Sequence, residues 1–323
     1  MGFKKILEIV MKQNIHISVV VPVYNEEGNV STLHQEIVEV CRTLGCRYEI
    51  IFINDGSSDN TLEDLKKLSP IKIINFRKNF GQTSALDAGF KAAVGDYIVA
   101  LDGDGQDDPS EMPKLIAKLE RENLDVVSSW RKHREDSFTK KIASLLAARL
   151  RKFLINDGIH DSGTSFKVYR RECFENIDLY GEMHRFIPAI LKIKGFKIGE
   201  EIVTHRHRIH GVTKYNWSRG VKGVLDMISV WFWMKFANRP LHLFGAAGVF
   251  VMAIGFLSFI FVLGQYIIWG NDLSDNALTI ISMFAILGGA QLFVFGLLAD
   301  ILSKSYFATT KDRPYVVKEV IEK

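Results

Sequence analysis

Two stretches near the C-terminal end limit what this chain can be. From Leu243 to Trp269 there is no charged residue, and Gln265 is the one strongly polar side chain. From Ala277 to Leu302 the pattern repeats, with Gln291 inside and Asp300 close to the end. Each run exceeds the ~20 residues that a helix needs to cross a hydrocarbon core. A helix is the form that satisfies its own backbone hydrogen bonds in lipid. Two helices buried in a soluble core are the alternative, but such helices usually keep a polar stripe, and these have almost none. Two membrane spans are therefore expected, at about 243–269 and 277–302.

Flanking charge sets their orientation. Arg239 precedes the first span, and Lys304, Lys311 and Arg313 follow the second. The connector 270–276 has two Asp and no Lys or Arg. Positive residues stay inside, which puts both termini and the bulk of the chain on the cytoplasmic side of the inner membrane. Tyr266 and Trp269 fall at the outer interface, Tyr306 and Phe307 at the inner one. The N-terminal apolar run is short for a signal peptide, so none is expected.

The remaining two-thirds reads as α/β. Ile17–Val23, Glu49–Ile53, Ile71–Asn75, Tyr97–Leu101 and Leu124–Ser128 are apolar runs of strand length. Runs without alternation suit strands buried on both faces of a mostly parallel sheet. Helical patterns lie between them at 31–42, 61–68, 82–94 and 109–122. Alternation of this kind favours a doubly wound, Rossmann-like sheet covered by helices on both faces. The three cysteines, Cys41, Cys46 and Cys173, lack metal-binding spacing and read as reduced thiols.

In an open α/β sheet, ligands bind outside the carboxyl ends of the strands. The polar motifs fall there. The first strand runs into Pro22-Val23-Tyr24-Asn25-Glu26-Glu27, and the second into Asn54-Asp55-Gly56-Ser57-Ser58-Asp59. The third leads to Arg77-Lys78-Asn79-Phe80-Gly81-Gln82, and the fourth to Asp102-Gly103-Asp104-Gly105-Gln106-Asp107-Asp108. Carboxylates as close as Asp102 and Asp104 repel unless a cation sits between them. A hard divalent ion, Mg²⁺ or Mn²⁺, suits a carboxylate-and-amide set that leaves positions open for substrate phosphates. A plain Asp-Gly turn is the other reading of this loop, and turn or helix-cap chemistry is the other reading of Asp55.

VPVYNEE (21–27), NDGSSDNT (54–61) and LDGDGQDDP (101–109), followed by two C-terminal spans and RPYVVKEV (313–320), resemble the inverting family 2 glycosyltransferases of the GT-A fold. More narrowly they are similar to the polyprenyl-phosphate glycosyltransferases, which include dolichyl-phosphate mannose synthase, bactoprenol glucosyltransferases and aminoarabinose-type transferases. The resemblance implies a GT-A domain over 1–210, a juxtamembrane segment over 211–240, two spans over 241–303 and a cytoplasmic tail over 304–323. It implies transfer of a sugar from a nucleotide sugar, UDP-glucose as the first guess, to polyprenyl phosphate. It further implies a homo-oligomer in the bilayer, with no nucleic-acid partner.

Roles follow by resemblance, position by position. Pro22, Tyr24 and Glu26 border the base and ribose, and Asp55 hydrogen-bonds the uracil or ribose. Asp102 faces the ribose and diphosphate, while Asp104 and Gln106 hold the metal. One departure is the pair Gly103 and Gly105, where many relatives carry Ala or another residue; here Gly is expected to keep the loop flexible. Asp161, in HDSGTSFKVYR (160–170), is the candidate carboxylate nearest the attacking phosphate, as base or orienting group. Arg131 after the fifth strand, with Arg208 and Lys214 in HRHRIHGVTKY (205–215), is expected on the acceptor phosphate.

Charge fits that assignment. The net charge of +4 hides two basic stretches, 130–152 and 192–222, each with eight Lys/Arg against two acids. A basic face against anionic lipid headgroups is the other reading of the second stretch. Segments 140–154 and 221–237 have apolar residues at helical spacing with basic flanks, as interfacial helices do, although core-facing helices would share that pattern. Two other functions make different demands on the sequence. A processive polysaccharide synthase would carry a Gln-x-x-Arg-Trp motif and more spans, which are missing here. A non-catalytic scaffold would show decayed carboxylate loops, whereas Asp55, Asp102 and Asp104 are all present.

Overall fold

The computed structural model describes residues 16–131, 158–161, 163–175, 177–179, 181–204, 206, 218–237, 239–269, 273 and 277–309. Arg208, Lys214, the 140–154 segment and the 313–320 tail lie outside them. The chain divides into two compact units, the second beginning at Trp231.

The first unit is built on seven strands: β1 (His16–Val23), β2 (Arg47–Asn54), β3 (Lys72–Asn75), β4 (Tyr97–Ala100), β5 (Val126–Trp130), β6 (Lys167–Arg170) and β7 (Ile198–Ile202). Their order across the sheet is β3-β2-β1-β4-β6-β5-β7. All neighbours are parallel except β6, which runs antiparallel to both β4 and β5. The helices are α1 (Val30–Leu44), α2 (Thr61–Lys66), α3 (Gln82–Ala92), α4 (Met112–Arg121) and α5 (Ile187–Ile193).

Continuous apolar strands bury both faces, as the lack of alternation requires. Ile17, Val19, Val21 and Val23 pack with Leu33, Ile37 and Cys41 of α1 and Leu115 and Leu119 of α4. Val20, with Ile51, Ile53 and Ile98, packs on the other face with Leu86 and Phe90 of α3 and Ile187 and Leu191 of α5. Phe52, Ile17 and Leu33 are essentially buried, each contributing about 1.5–3 kcal/mol of transfer free energy. Helix α1 stops at Gly45, whose φ of 61° lets its N–H reach Arg42 O at 3.0 Å.

Register gathers the functional loops at one edge. Val23 lies opposite Asn54, and Asn54 opposite Asn75. Ala100 and Ser128 both lie opposite Lys167, and Trp130 lies opposite Ile202. The ends of β1 to β5 and β7 therefore meet the start of β6 at a single edge. Strand order reverses between β1 and β4, where the Pro22–Glu26 and Asp102–Asp108 loops emerge.

The second unit holds α7 (Pro240–Trp269) and α8 (Ala277–Thr309), both long and apolar enough to cross a membrane. α6 (Ser218–Phe236) runs up to and into this unit. The hairpin closes on glycine. A Cβ on Gly248 would lie 2.6 Å from Gly289 O, and one on Gly289 would lie 2.6 Å from Gly248 O. Small residues let the two backbones meet, which is how helices gain packing energy in lipid. Ser282 Oγ donates to Thr279 O at 2.7 Å, so this buried hydroxyl is satisfied. Phe250, Leu257, Phe284 and Leu302 point outward, as a lipid-facing surface demands. Tyr306 packs edge-on against Trp233 at 5.2 Å.

Candidate active site

The loops at the sheet edge brace one another. Asn25, with φ of 55°, donates its N–H to Ser57 Oγ at 2.9 Å and accepts from Ser58 N–H at 2.8 Å. Glu26 N–H donates to Thr61 Oγ1 at 2.9 Å, and the Glu26 carboxylate accepts from Asn29 Nδ2 at 2.7 Å. The NDGSSDNT motif thus holds the shape of the VPVYNEE motif. Pro22 is buried at the end of β1, whereas Tyr24 is exposed and available for stacking.

Asp55 is buried, and its two oxygens accept from Phe80 N–H at 2.7 Å and Gly81 N–H at 2.9 Å. Its own N–H donates to Val23 O at 2.9 Å. Asp55 therefore binds three loops together, a use the sequence did not reveal. A carboxylate has about four lone-pair sites, so acceptor capacity remains.

Three carboxylates crowd the Asp102–Asp108 loop. Burial, then the charge of Asp104, raises the Asp102 carboxyl above its ordinary range. Burial, then Asp102, pushes Asp107 up to about 7. Asp104 is buried and accepts from Gln106 N–H at 3.1 Å, which places the two expected metal ligands side by side. Gly103 serves close packing rather than flexibility: a Cβ there would collide with Val23 Cγ1.

Among the described residues, no group of three or more His, Cys, Asp or Glu side chains is arranged to hold a metal. The donor set fits a hard ion that takes few protein ligands and completes its shell with substrate phosphates and water. The mutual repulsion of Asp102, Asp104 and Asp107 is the electrostatic condition that a divalent cation relieves.

A cavity of about 150 Å³ opens beside Asp102. Gln82, Asp102, Ser165, Lys167, His184 and Arg185 give it polar walls, over an apolar floor that includes Leu86 and Phe90. Gln82 Nε2 donates to Asp102 Oδ1 at 2.7 Å, which fixes that carboxylate from the first turn of α3. Lys167 is buried and donates to Thr164 O. Burial lowers its pKa to about 8, while Asp161, Asp102 and Asp107 act in the opposite sense and keep it from falling further.

Arg131 and Asp161 meet beside Gly163 of the cavity wall, where a Cβ would lie 3.5 Å from Arg131 Nη2 and 3.6 Å from Asp161 Oδ1. Arg131 Nε donates to Asp161 Oδ2 at 2.7 Å and Nη2 to Oδ1 at 3.0 Å. Burial alone would raise the Asp161 carboxyl, but Arg131 outweighs it and holds the group below the usual carboxylate range. Glu200 supports this pair by accepting from His160 N–H at 2.7 Å and Asp161 N–H at 3.1 Å, and the His160 ring stacks on Trp130 at 4.4 Å. Arg206 belongs to the basic 205–215 stretch. It pairs with Glu36 at 2.8 Å and Asp108 at 2.8 Å, and its N–H donates to Gln106 O at 3.0 Å.

The structure thus brings Asp55, Asp102, Asp104, Gln106, Arg131 and Asp161 to one edge of the sheet. Sequence reading missed Gln82, Lys167 and His184 as site residues. A lysine inside the apolar run FKVYR was a visible signal for the second. Nothing in the sequence marked His184.

Known proteins share this chain's sequence and fold. Residues 18–178 match Glycosyl transferase family 2, and residues 239–305 match the GtrB C-terminal hairpin. A dodecaprenyl-phosphate galacturonate synthase of Rhizobium johnstonii is 35% identical over 318 residues, covering 96% of this chain and 94% of the relative. An undecaprenyl-phosphate 4-deoxy-4-formamido-L-arabinose transferase of Proteus mirabilis is 30% identical over 311 residues, covering 94% of each. Among solved structures, mannosyl-3-phosphoglycerate synthase from Rubrobacter xylanophilus superposes with a TM-score of 0.60 at 15% identity, over 72% of this chain and 79% of that one. Glucosyl-3-phosphoglycerate synthase from Mycobacterium tuberculosis, solved with Mn²⁺ and UDP-glucose, gives 0.56 at 19% identity, over 72% and 83%. These two establish the shared GT-A-like fold. The chain belongs to the family 2 glycosyltransferases, among those that carry a GtrB-type C-terminal hairpin.

Proposed function

We propose that this enzyme transfers a sugar from a nucleotide diphosphate sugar to a polyprenyl phosphate at the cytosolic face of the membrane, with inversion at the anomeric carbon. The observation that carries the reading is the pairing of two features at one sheet edge. The acidic Asp102–Asp108 loop stands beside the cavity, and the Arg131–Asp161 ion pair stands next to Gly163 of its wall. Relatives matched along nearly their whole length bear the names of polyprenyl-phosphate sugar transferases.

On this reading Tyr24 borders the base, Asp102 faces the ribose and diphosphate, and Asp104 with Gln106 holds Mg²⁺ or Mn²⁺. When bound, such an ion supplies Lewis-acid stabilisation of the charge that grows on the departing diphosphate. The acceptor is a phosphate monoester with a second pKa of about 6, so it is mostly a dianion at neutral pH. Its oxygen attacks the anomeric carbon, the bond from that carbon to the diphosphate oxygen breaks, and the nucleoside diphosphate leaves from the opposite face.

No strong base is needed, and Asp161 is a poor one, because Arg131 stabilises its ionised form. Asp161 instead orients Arg131, whose remaining donors face the acceptor phosphate. Arg208 and Lys214 complete the acceptor site from the basic stretch. The hairpin anchors the enzyme, with both termini cytoplasmic.

The test incubates membranes containing the enzyme with Mg²⁺ or Mn²⁺, undecaprenyl phosphate and radiolabelled UDP-glucose, UDP-N-acetylglucosamine or UDP-galacturonate. Label in the organic phase identifies the donor. Label that stays aqueous with each donor and rises with free sugar would overturn the acceptor assignment.

A further inference from the structure

One side chain on the cavity wall has a hydrogen-bonding state that its neighbours dictate. His184 belongs to the short 3-10 turn Met183–Phe186 that leads into α5. Its Nδ1 lies 2.7 Å from Thr83 Oγ1, a hydroxyl in the first turn of α3 that is 2% exposed. Among the described residues this is the one partner of that hydroxyl. If His184 Nδ1 carried the proton, the buried Thr83 proton would have no acceptor, at full desolvation cost. Thr83 therefore donates to Nδ1, and the ring proton resides on Nε2. Burial, then Arg185 and Lys167, lowers the His184 pKa to about 3, so the ring is neutral throughout the working range.

With Nδ1 turned to Thr83, Nε2–H is the polar atom that His184 offers to the cavity it shares with Gln82, Asp102 and Lys167. Asp102 stands where the diphosphate would end, so the space beyond it is where a sugar attached to that diphosphate must lie. We propose that His184 is a specificity-determining residue: its Nε2–H, fixed by Thr83, donates to a hydroxyl or other acceptor oxygen of the transferred sugar. The inference rests on the functional reading above and adds to it the group that separates a nucleotide sugar from its nucleotide.

Two substitutions separate this role from a structural one. His184→Asn keeps an amide near Nδ1, at the Thr83 contact, and loses the donor at the far end. His184→Gln reaches the Nε2 position and can restore that donor. Full-length protein in detergent is titrated by calorimetry with UDP and with UDP-glucose, UDP-N-acetylglucosamine and UDP-galacturonate, in Mn²⁺ and without lipid acceptor. For the UDP-sugar that wild type binds best, His184→Asn is expected to weaken binding about tenfold, the worth of one lost hydrogen bond in a closed site. His184→Gln should recover most of that loss, and UDP affinity should stay within about twofold in both variants. Equal UDP-sugar affinity in His184→Asn and wild type would overturn the inference. So would a parallel loss of UDP affinity, which marks a structural role. Wild type that binds neither UDP nor any of these UDP-sugars would overturn the functional reading, and this inference with it.

Discussion

Arg131 and Asp161 face each other through two parallel hydrogen bonds, at 2.7 and 3.0 Å, with both side chains largely shielded from water. The fork fixes the plane of the guanidinium before any substrate arrives. Asp161→Asn removes the charge and leaves Arg131 uncompensated in a partly buried site. The variant is expected to lose about 3 kcal/mol of stability at neutral pH, the usual scale for breaking such a pair. Because the folded pKa of Asp161 is depressed, its contribution is present above the unfolded value and lost as pH falls through the folded value. Urea denaturation of both proteins should therefore show a gap at pH 7 that narrows in acid below pH ~4. A gap independent of pH would contradict the ion-pair account.

His184 predicts acid sensitivity of the same sign in a higher pH window. Its folded pKa of about 3 lies below the value of about 6.5 for an unperturbed histidine. The unfolded state thus binds one more proton between these limits, and stability falls as pH drops below 6.5. Lys167, with a pKa of about 8, remains cationic across this window and does not offset the effect. Between pH 6.5 and 5 wild type should lose about 2 kcal/mol that His184→Gln does not lose, at roughly 1.4 kcal/mol per pH unit. Denaturant midpoints at the two pH values measure the difference.

Arg206 ties Glu36, Asp108 and Gln106 O together, yet its side chain is 37% exposed. Partly exposed ion pairs contribute about 1 kcal/mol or less. Arg206→Ala should therefore change stability little while loosening the loop that carries Asp104 and Gln106. The expected result is a rise of about fivefold or more in the Mn²⁺ concentration for half-maximal binding, read from the electron spin resonance of free Mn²⁺. An unchanged Mn²⁺ titration would remove Arg206 from any role in shaping that loop.

Two glycines of α7 give an internal control. A Cβ on Gly248 meets the backbone of α8, whereas one on Gly264 meets nothing within 4 Å. Gly248→Val should force the helices apart at a cost of about 1–3 kcal/mol, and Gly264→Val should be close to neutral. Disulfide trapping of cysteine pairs placed across α7 and α8 reads the separation. Equal trapping in both variants would contradict the close-packed hairpin.

Much of this was legible in the residues. Unbroken apolar runs marked β1 to β5, and the two long apolar helices α7 and α8 start within three residues of the expected positions. The antiparallel β6 was not, because Phe166-Lys167-Val168-Tyr169 carries a cation and follows a glycine-rich turn. Its insertion between β4 and β5 depends on pairing between residues such as Ala100 and Lys167, far apart in sequence. Asp102 and Asp104 stood out in the residues as paired carboxylates after a strand, and the structure crowds them with Asp107 in one loop. The roles of Asp55 and Gln82 were hidden, since their partners, Phe80 N–H, Gly81 N–H and Asp102, depend on how neighbouring loops fold against them. His184 reaches the site through a contact with Thr83 across 101 positions, which no local pattern announces.

Donor binding and sugar transfer depend, on the proposed reading, on an ion held by the Asp102–Asp108 loop. Asp104→Ala and wild type, matched for amount in membranes, are assayed with Mn²⁺, undecaprenyl phosphate and the best labelled UDP-sugar. Organic-phase label is expected to fall about 10²-fold or more in the variant while membrane insertion is unchanged. Full transfer by Asp104→Ala would contradict it.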